Sequence, residues 1–334
     1  MQTRRNLYID LVKYLLITFV VLGHFIQYFQ YKSNFSLFWS SNLFKFIYTF
    51  HMPLFMAISG YFAYFSISRQ TTLKYIISRI KYLLIPLLIW ACLSSFIMFS
   101  TANPSETVSL FSLFRNSFLH SFWFVWAIIF FSILLCLLKK FKADKAPILL
   151  ISALLILYIP SDYFRIDVGK EFFIYFAIGY LLANKGITVY HQFCKKYLIV
   201  FIAIATICFI YWDPYLSFDG FLELKGWIAY LFRILLAITS SVCILEITYW
   251  IYSKIQKMKI TNYFAKIGQD TLGIYLIQDV FINTAWHRII PYVNFPNVSL
   301  TYIIPSILLV IICYYFITII SRNKTAGLLL FGKK

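Results

Sequence analysis

The sequence predicts an all-α membrane domain of about ten helical spans, with both termini on the cytoplasmic side. Three observations predict it. Hydrophobic residues make up 61% of the chain and charged ones 13%, with a mean hydropathy of +0.79, whereas a soluble domain carries about 25% charged and about 45–50% apolar residues. The apolar residues gather in runs of spanning length. The cations fall mainly in alternate loops between those runs.

The runs cover roughly 7–29, 43–65, 82–101, 117–138, 146–161, 171–184, 197–212, 226–250, 268–290 and 300–321. Helices are expected because lipid offers backbone groups no partner and the runs lack the period-2 alternation of a barrel. The fifth and sixth are short against the roughly 20 residues a bilayer requires. Loops and termini on one side hold 21 Lys and Arg, and those on the other hold 7, with Lys13 and Arg233 inside spans. Glu106, Asp162, Asp167, Glu171, Asp213, Asp219 and Glu223 fall on the cation-poor side. This asymmetry sets the orientation. It also accounts for the net charge of +18 without nucleic acid as a partner. The six cysteines are scattered through apolar segments with no metal or disulfide spacing, and they read as small packing residues. Arg4 and Arg5 followed by an apolar run resemble a signal peptide. The run is too long for one and lacks a small-residue cleavage site, so it reads as an uncleaved first span. No linker sets off a second domain, and residues 1–334 read as one membrane unit.

Taken in order, the spans carry ionisable groups that hydrocarbon penalises by about 2.5–3.5 kcal/mol each on insertion scales. The first contains "DLVKYLLITFVVLGHF", with Asp10, Lys13 and His24. Eleven residues separate Lys13 from His24. At about 100° and 1.5 Å per residue they share a face, offset by about 20°, and lie about 16 Å apart along the axis. Asp10, one turn before Lys13, can pair with it. Taken alone, Lys13 also reads as a snorkelling lysine, and His24 as a satisfied interhelical histidine. The second span, "YTFHMPLFMAISGYF", places His51 beside Pro53, which frees a backbone carbonyl, and Ser59 with Gly60, which allow close helix approach. His51 reads equally as interfacial or as cavity-lining. Before the third span, "LKYIISRIKYLLIP" sets Lys74, Arg79 and Lys81 on the cation-rich side, either as solvated charges or as a phosphate cradle. Further candidates are Trp123 in "HSFWFVW" of the fourth span, Arg233 and Glu246 in the eighth, and Gln278 and Asp279 in "IGQDTLGIYLIQD" of the ninth. Arg233 and Asp279 each require a partner in lipid and are candidates to pair.

Together these stretches resemble the acyltransferase-3 family of membrane-bound O-acyltransferases that modify bacterial glycans. The family's first helix has a basic residue, ten others and then histidine. Here that is Lys13 to His24, with lysine where arginine is more usual. "HMPLFMAISGYF", "FWFVWAIIF", "FFIYFAIGYLLA" and "IGQDTLGIYLI" follow in the family's order across nearly the whole chain. Two positions depart from it: Tyr82 stands where a second arginine often follows Arg79, and Gln278 where histidine often ends the ninth-span motif. The second departure removes that position as a base.

The resemblance implies a bacterial cytoplasmic-membrane enzyme. Such an enzyme passes an acyl group, usually acetyl from acetyl-CoA, to a hydroxyl of an extracytoplasmic or lipid-linked glycan, with no metal. Lys13, Arg79 and Lys81 then meet the nucleotide phosphates of acyl-CoA. The slender pantetheine arm carries the thioester inward, and His24 acts as general base, with an acyl-histidine relay as the less economical route. His51 orients the acceptor or steadies the oxyanion. Asp10, Trp123, Arg233, Gln278 and Asp279 line the substrate path. The main competing reading is a polysaccharide exporter, which would show paired halves with broken helices. A non-catalytic assembly subunit would leave the Lys13–His24 alignment as coincidence.

Overall fold

The structure is a computed structural model describing residues 6–30, 35–102, 109–159, 164, 166–183, 187–214, 224–289 and 299–333. Among them there is no strand. Helix α1 (Leu7–Phe25) begins where the Asn6 side-chain oxygen accepts hydrogen bonds from the Tyr8 and Ile9 amides, and it runs into a π-helical turn at Ile26–Gln30. A short 3₁₀ turn, Phe35–Ser40, leads to α2 (Asn42–Ser68), which continues through Pro53. Thr71 caps α3 (Thr72–Arg79), and a second π turn, Ile80–Leu84, joins it to α4 (Ile85–Thr101). Pro86 lies two residues beyond this π turn, inside the continuous helical stretch.

The chain continues through α5 (Leu110–His120), α6 (Trp123–Lys140), α7 (Ala146–Leu157), α8 (Ile166–Gly169) and α9 (Phe173–Ala183). After these come α10 (Ile187–Lys196), α11 (Leu198–Tyr211), α12 (Leu224–Ile255), α13 (Lys259–Gln269), α14 (Thr271–Ile289), α15 (Ile303–Ile320) and α16 (Lys324–Phe331).

Each of the ten apolar runs is helical over most of its described length. Among the described residues, six continuous helical stretches are long and apolar enough to cross a bilayer: Leu7–Gln30, Asn42–Ser68, Thr72–Thr101, Trp123–Lys140, Gly226–Ile255 and Ser299–Ile320. Tyr190–Lys196 and Leu198–Tyr211 add a seventh if counted together across their 71° bend, while Ala146–Leu157 and Thr271–Ile282 are shorter apolar helices. The helix that leads into the third apolar run begins earlier than that run, at Thr72. Lys74, Arg79 and Lys81, expected in a loop, lie on the helical stretch that leads into α4. Arg4, Arg5, Lys32, Arg165, Lys185 and Lys334, with Glu106, Asp162, Asp219 and Glu223, lie outside the described residues.

Two compact units make up the chain. The first comprises Met1–Phe55, Lys185–Gln269 and Asn294–Val310, and the second Met56–Asn184, Asp270–Val293 and Ile311–Lys334. In the first, α1 lies against α13, and α11 against α12. Gly268 packs directly on the Asp10 carbonyl, leaving no room for a Cβ. Tyr14 stacks on Phe264 with ring centroids 4.6 Å apart, and the Tyr8 hydroxyl donates to the Leu245 carbonyl at 2.9 Å.

In the second unit, α2 and α9 meet through a reciprocal pair of glycines: Gly60 faces the Phe176 carbonyl, and Gly179 the Ala57 carbonyl. Close backbone approach of this kind drives helix association where burial against lipid supplies no hydrophobic gain. Pro86 cannot donate to the Tyr82 carbonyl. Gly332, in the left-handed region at φ +62°, packs against that same carbonyl and ends α16. Trp90 Nε1 donates to the Leu330 carbonyl at 2.8 Å and fastens α16 to α4.

A methyl group at either glycine of the α2–α9 crossing has to displace backbone. Gly60→Ala and Gly179→Ala are each expected to cost about 1–3 kcal/mol, read as a lower melting midpoint in detergent. Gly169→Ala, whose Cβ would meet only the Ala127 methyl at 3.3 Å, is expected to shift the midpoint less.

Candidate active site

In the first unit, Lys13 is held rather than left to snorkel. Its ammonium lies 2.9 Å from Asp10 Oδ1, with the lysine side chain 17% exposed. Asp10 itself is 4% exposed. Its other oxygen accepts a hydrogen bond from Gln269 Nε2 at 3.1 Å. A buried carboxylate needs such donors on both oxygens, and Gln269 can reach because Gly268 lets α13 close on α1. Gln269 stands inside the "IGQD" stretch.

His24 lies near the other end of the same unbroken helix, half-buried, edge-on to Tyr28 at 5.9 Å. The rise of about 16 Å expected between Lys13 and His24 therefore holds. Ile17 and Val20, on the same face between them, are buried. His51, 2% exposed, sits on α2. His51 Nδ1 is 2.7 Å from the Ile47 carbonyl oxygen. A carbonyl only accepts, so Nδ1 carries the proton and the neutral ring presents Nε2 as an acceptor. Such a ring can receive a hydrogen bond from a hydroxyl but has none to give to an oxyanion.

Arg233, half-buried on α12, belongs to this unit, whereas Asp279 belongs to the other. Glu246 has an unanticipated partner. Its two oxygens lie 2.9 and 2.8 Å from His191 Nδ1, under the Tyr249 ring, whose centroid is 3.7 Å from that of the imidazole. This pair joins α10 to α12 beside the 71° bend.

In the second unit, the Arg79 guanidinium lies over the Tyr75 ring, 4.8 Å from its centroid. Arg79 Nε is buried with no hydrogen-bond acceptor, and the buried hydroxyls of Tyr75 and Ser132 are likewise unmatched. No carboxylate among the described residues pairs with Arg79. A buried cation edge with orphaned donors around it is electrostatically prepared for an anion or for water. Lys81 is exposed, with its ammonium 5.7 Å from the Tyr82 ring centroid.

The two π turns among the described residues both lie beside candidate residues. One follows His24 after a single residue, and the other directly follows Arg79 and contains Lys81. Such turns recur at functional sites because the extra residue rotates side chains out of the helical phase.

Trp123 opens α6 immediately after Phe122, a buried aromatic residue in the left-handed region at φ 54°. A bulky residue there costs on the order of 1–3 kcal/mol. The strain turns the chain so that Trp123 packs at 5.3 Å on Phe172. Gln278 is completely buried and donates to the Tyr275 carbonyl at 3.2 Å, while Asp279 is half-buried on the same helix. A cavity of about 210 Å³ between α6, α7 and α8 is apolar except for Lys170 and holds none of the predicted residues. No group of three metal-ligating side chains occurs among the described residues.

Comparison with known proteins agrees with the motif order. The acyltransferase-3 family, described as an acyltransferase domain, matches residues 6–320. A nodulation protein NolL from Mesorhizobium japonicum is 28% identical over 297 residues, covering 82% of this chain and 76% of its own. A nodulation protein NolL from Sinorhizobium fredii is 36% identical over 220 residues, covering 62% of this chain and 58% of its own. No solved structure matches the chain significantly.

The Asp10–Lys13 pair sets a stability expectation. Asp10→Ala strands a largely buried ammonium and is expected to cost up to about 3 kcal/mol. Asp10→Ala combined with Lys13→Met is expected to cost less than the sum of the two changes made singly. Detergent melts of the four proteins read the coupling, and additive losses would show that the two side chains act independently.

Proposed function

This chain belongs to the acyltransferase-3 family, and on that premise we propose that it transfers an acyl group, acetyl by preference, from cytoplasmic acyl-CoA to a hydroxyl of an extracytoplasmic or lipid-linked glycan. Its place is the bacterial cytoplasmic membrane. The cation asymmetry of the loops supports ten spans with both termini inside, the short and bent helices supplying those beyond the six long ones.

The observation that carries the reading is one helix bearing two chemistries: the ammonium of Lys13, anchored by Asp10, and the imidazole of His24 about three turns further on. The first suits a polyanion and the second suits proton transfer near neutral pH.

In this mechanism Lys13, Arg79 and Lys81 bind the nucleotide phosphates of acyl-CoA. Arg79 is the strongest candidate of the three, because it is cationic, preoriented on Tyr75 and without a carboxylate partner among the described residues. Asp10 positions Lys13. The pantetheine arm passes Ile17 and Val20, whose burial requires local side-chain movement. The His24 imidazole removes the proton from the acceptor hydroxyl as its oxygen attacks the thioester carbonyl. His51 receives a hydrogen bond at Nε2 and orients the acceptor. Trp123, Arg233, Gln278 and Asp279 belong to the walls of the substrate path. The exporter reading would be favoured by broken helices in matching halves, and a single bent pair is found among the described residues.

Vesicles loaded with labelled acetyl-CoA test the proposal through esterification of surface glycan. His24→Ala is expected to lose transfer by about 100-fold or more, and wild-type rates in that variant would end the assignment. Lys13→Ala is expected to raise the KM for acetyl-CoA about tenfold, with a smaller change in kcat, and an unchanged donor KM would remove Lys13 from the donor site. Mass spectrometry of the glycan with and without the protein identifies the acyl group.

A further inference from the structure

We infer that the Tyr48 phenol is a further catalytic residue, the hydrogen-bond donor to the oxyanion formed on the thioester carbonyl; this rests on the acyl-transfer reading above.

The reaction needs such a donor, because the attack leaves a full negative charge on the carbonyl oxygen in a medium that screens it poorly. His51 has the right location but the wrong tautomer, since the Ile47 carbonyl takes its Nδ1 proton and leaves Nε2 as an acceptor. Tyr48 lies beside the His51 imidazole and against the turn of α1 that precedes His24. Its ring centroid is 4.5 Å from that of His51. On the other side it touches the turn that bears His24: a Cβ placed on Gly23 would stand 3.2 Å from Tyr48 Cε2 and 3.8 Å from its hydroxyl oxygen.

The ring itself is fixed. Phe44 stacks on it at 4.0 Å, and Trp39 meets it edge-on at 5.4 Å. The hydroxyl is not used by the fold, for among the described residues nothing exchanges a hydrogen bond with it. The side chain is half-buried rather than sealed. A rigid ring carrying an uncommitted, reachable O–H, packed on one imidazole and on the turn that bears the other, is a preorganised donor. A phenol in its ordinary state keeps its proton at neutral pH.

The step balances without any further reactant. The acceptor oxygen bonds to the thioester carbon while its proton passes to the His24 imidazole. The carbonyl oxygen becomes an oxyanion and accepts a hydrogen bond from Tyr48. Collapse restores the carbonyl and breaks the carbon–sulfur bond, and the imidazolium proton goes to the departing CoA sulfur. Tyr48 finishes with its own proton.

Tyr48→Phe removes one oxygen and leaves every ring contact in place. With labelled acetyl-CoA and surface-glycan vesicles, kcat is expected to fall about 100-fold, with KM for acetyl-CoA within about twofold of wild type and the melting midpoint unchanged. A kcat within about threefold of wild type, while wild type transfers normally, would overturn the role of Tyr48 and leave the acyl-transfer reading standing. A loss of kcat accompanied by a lower midpoint or a raised donor KM would make Tyr48 structural and overturn it as well. If wild-type protein moves glycan across the vesicle but never esterifies it, the acyl-transfer reading itself falls, and the assignment of Tyr48 falls with it.

Discussion

Lys13 stands in a membrane-spanning helix because Asp10 and Gln269 hold it there. A lone ammonium among apolar side chains would be driven to the interface or excluded from the span. The carboxylate one turn earlier neutralises it at 2.9 Å, and an amide on a different helix satisfies the carboxylate's second oxygen at 3.1 Å. The pair therefore depends on how closely α1 and α13 approach, and that approach depends on Gly268 having no side chain. One buried charge thus links a helix face, a helix crossing and a glycine. A donor site for a polyanion built on Lys13 inherits its geometry from all three.

The same logic runs through the second unit. Its motifs are conspicuous for small residues set among large aromatic ones. Gly60 and Gly179 bring the backbones of α2 and α9 together, with each glycine facing a carbonyl of the opposite helix. Pro86 leaves a carbonyl that Gly332 covers, and the π turn before α4 absorbs the irregularity. That turn also carries Lys81 and follows Arg79, so the backbone defect that proline requires and the cationic cluster occupy the same few residues. Local disorder of hydrogen bonding and functional side chains coincide because both need a departure from the regular helical phase.

Much of the candidate site is legible in the order of the residues alone. The shared face of Lys13 and His24 follows from 3.6 residues per turn, and the Asp10–Lys13 pair from their spacing of three. The partners on other helices are not legible there. Gln269, His191 for Glu246, and Tyr48 against the turn before His24 are brought in by packing, and nothing in their sequence neighbourhood marks them off from other polar or aromatic residues in so aromatic a chain. The histidine tautomer is likewise invisible in the sequence, because it follows from one 2.7 Å contact with a carbonyl.

The sequence by itself determined that the chain is helical, apolar and membrane-embedded, and which residues are too polar to lie in lipid without reason. These are properties of composition and of a fixed helical period, and they are written along the chain. Only the tertiary structure decided that α10 and α11 meet at a 71° bend, that the helix leading into the third apolar run starts at Thr72, and that paired glycines close the α2–α9 crossing. It also decided which polar atoms are matched and which remain open. Hydrogen bonds and close backbone contacts are satisfied between segments distant in sequence. Their geometry exists only once the helices have packed.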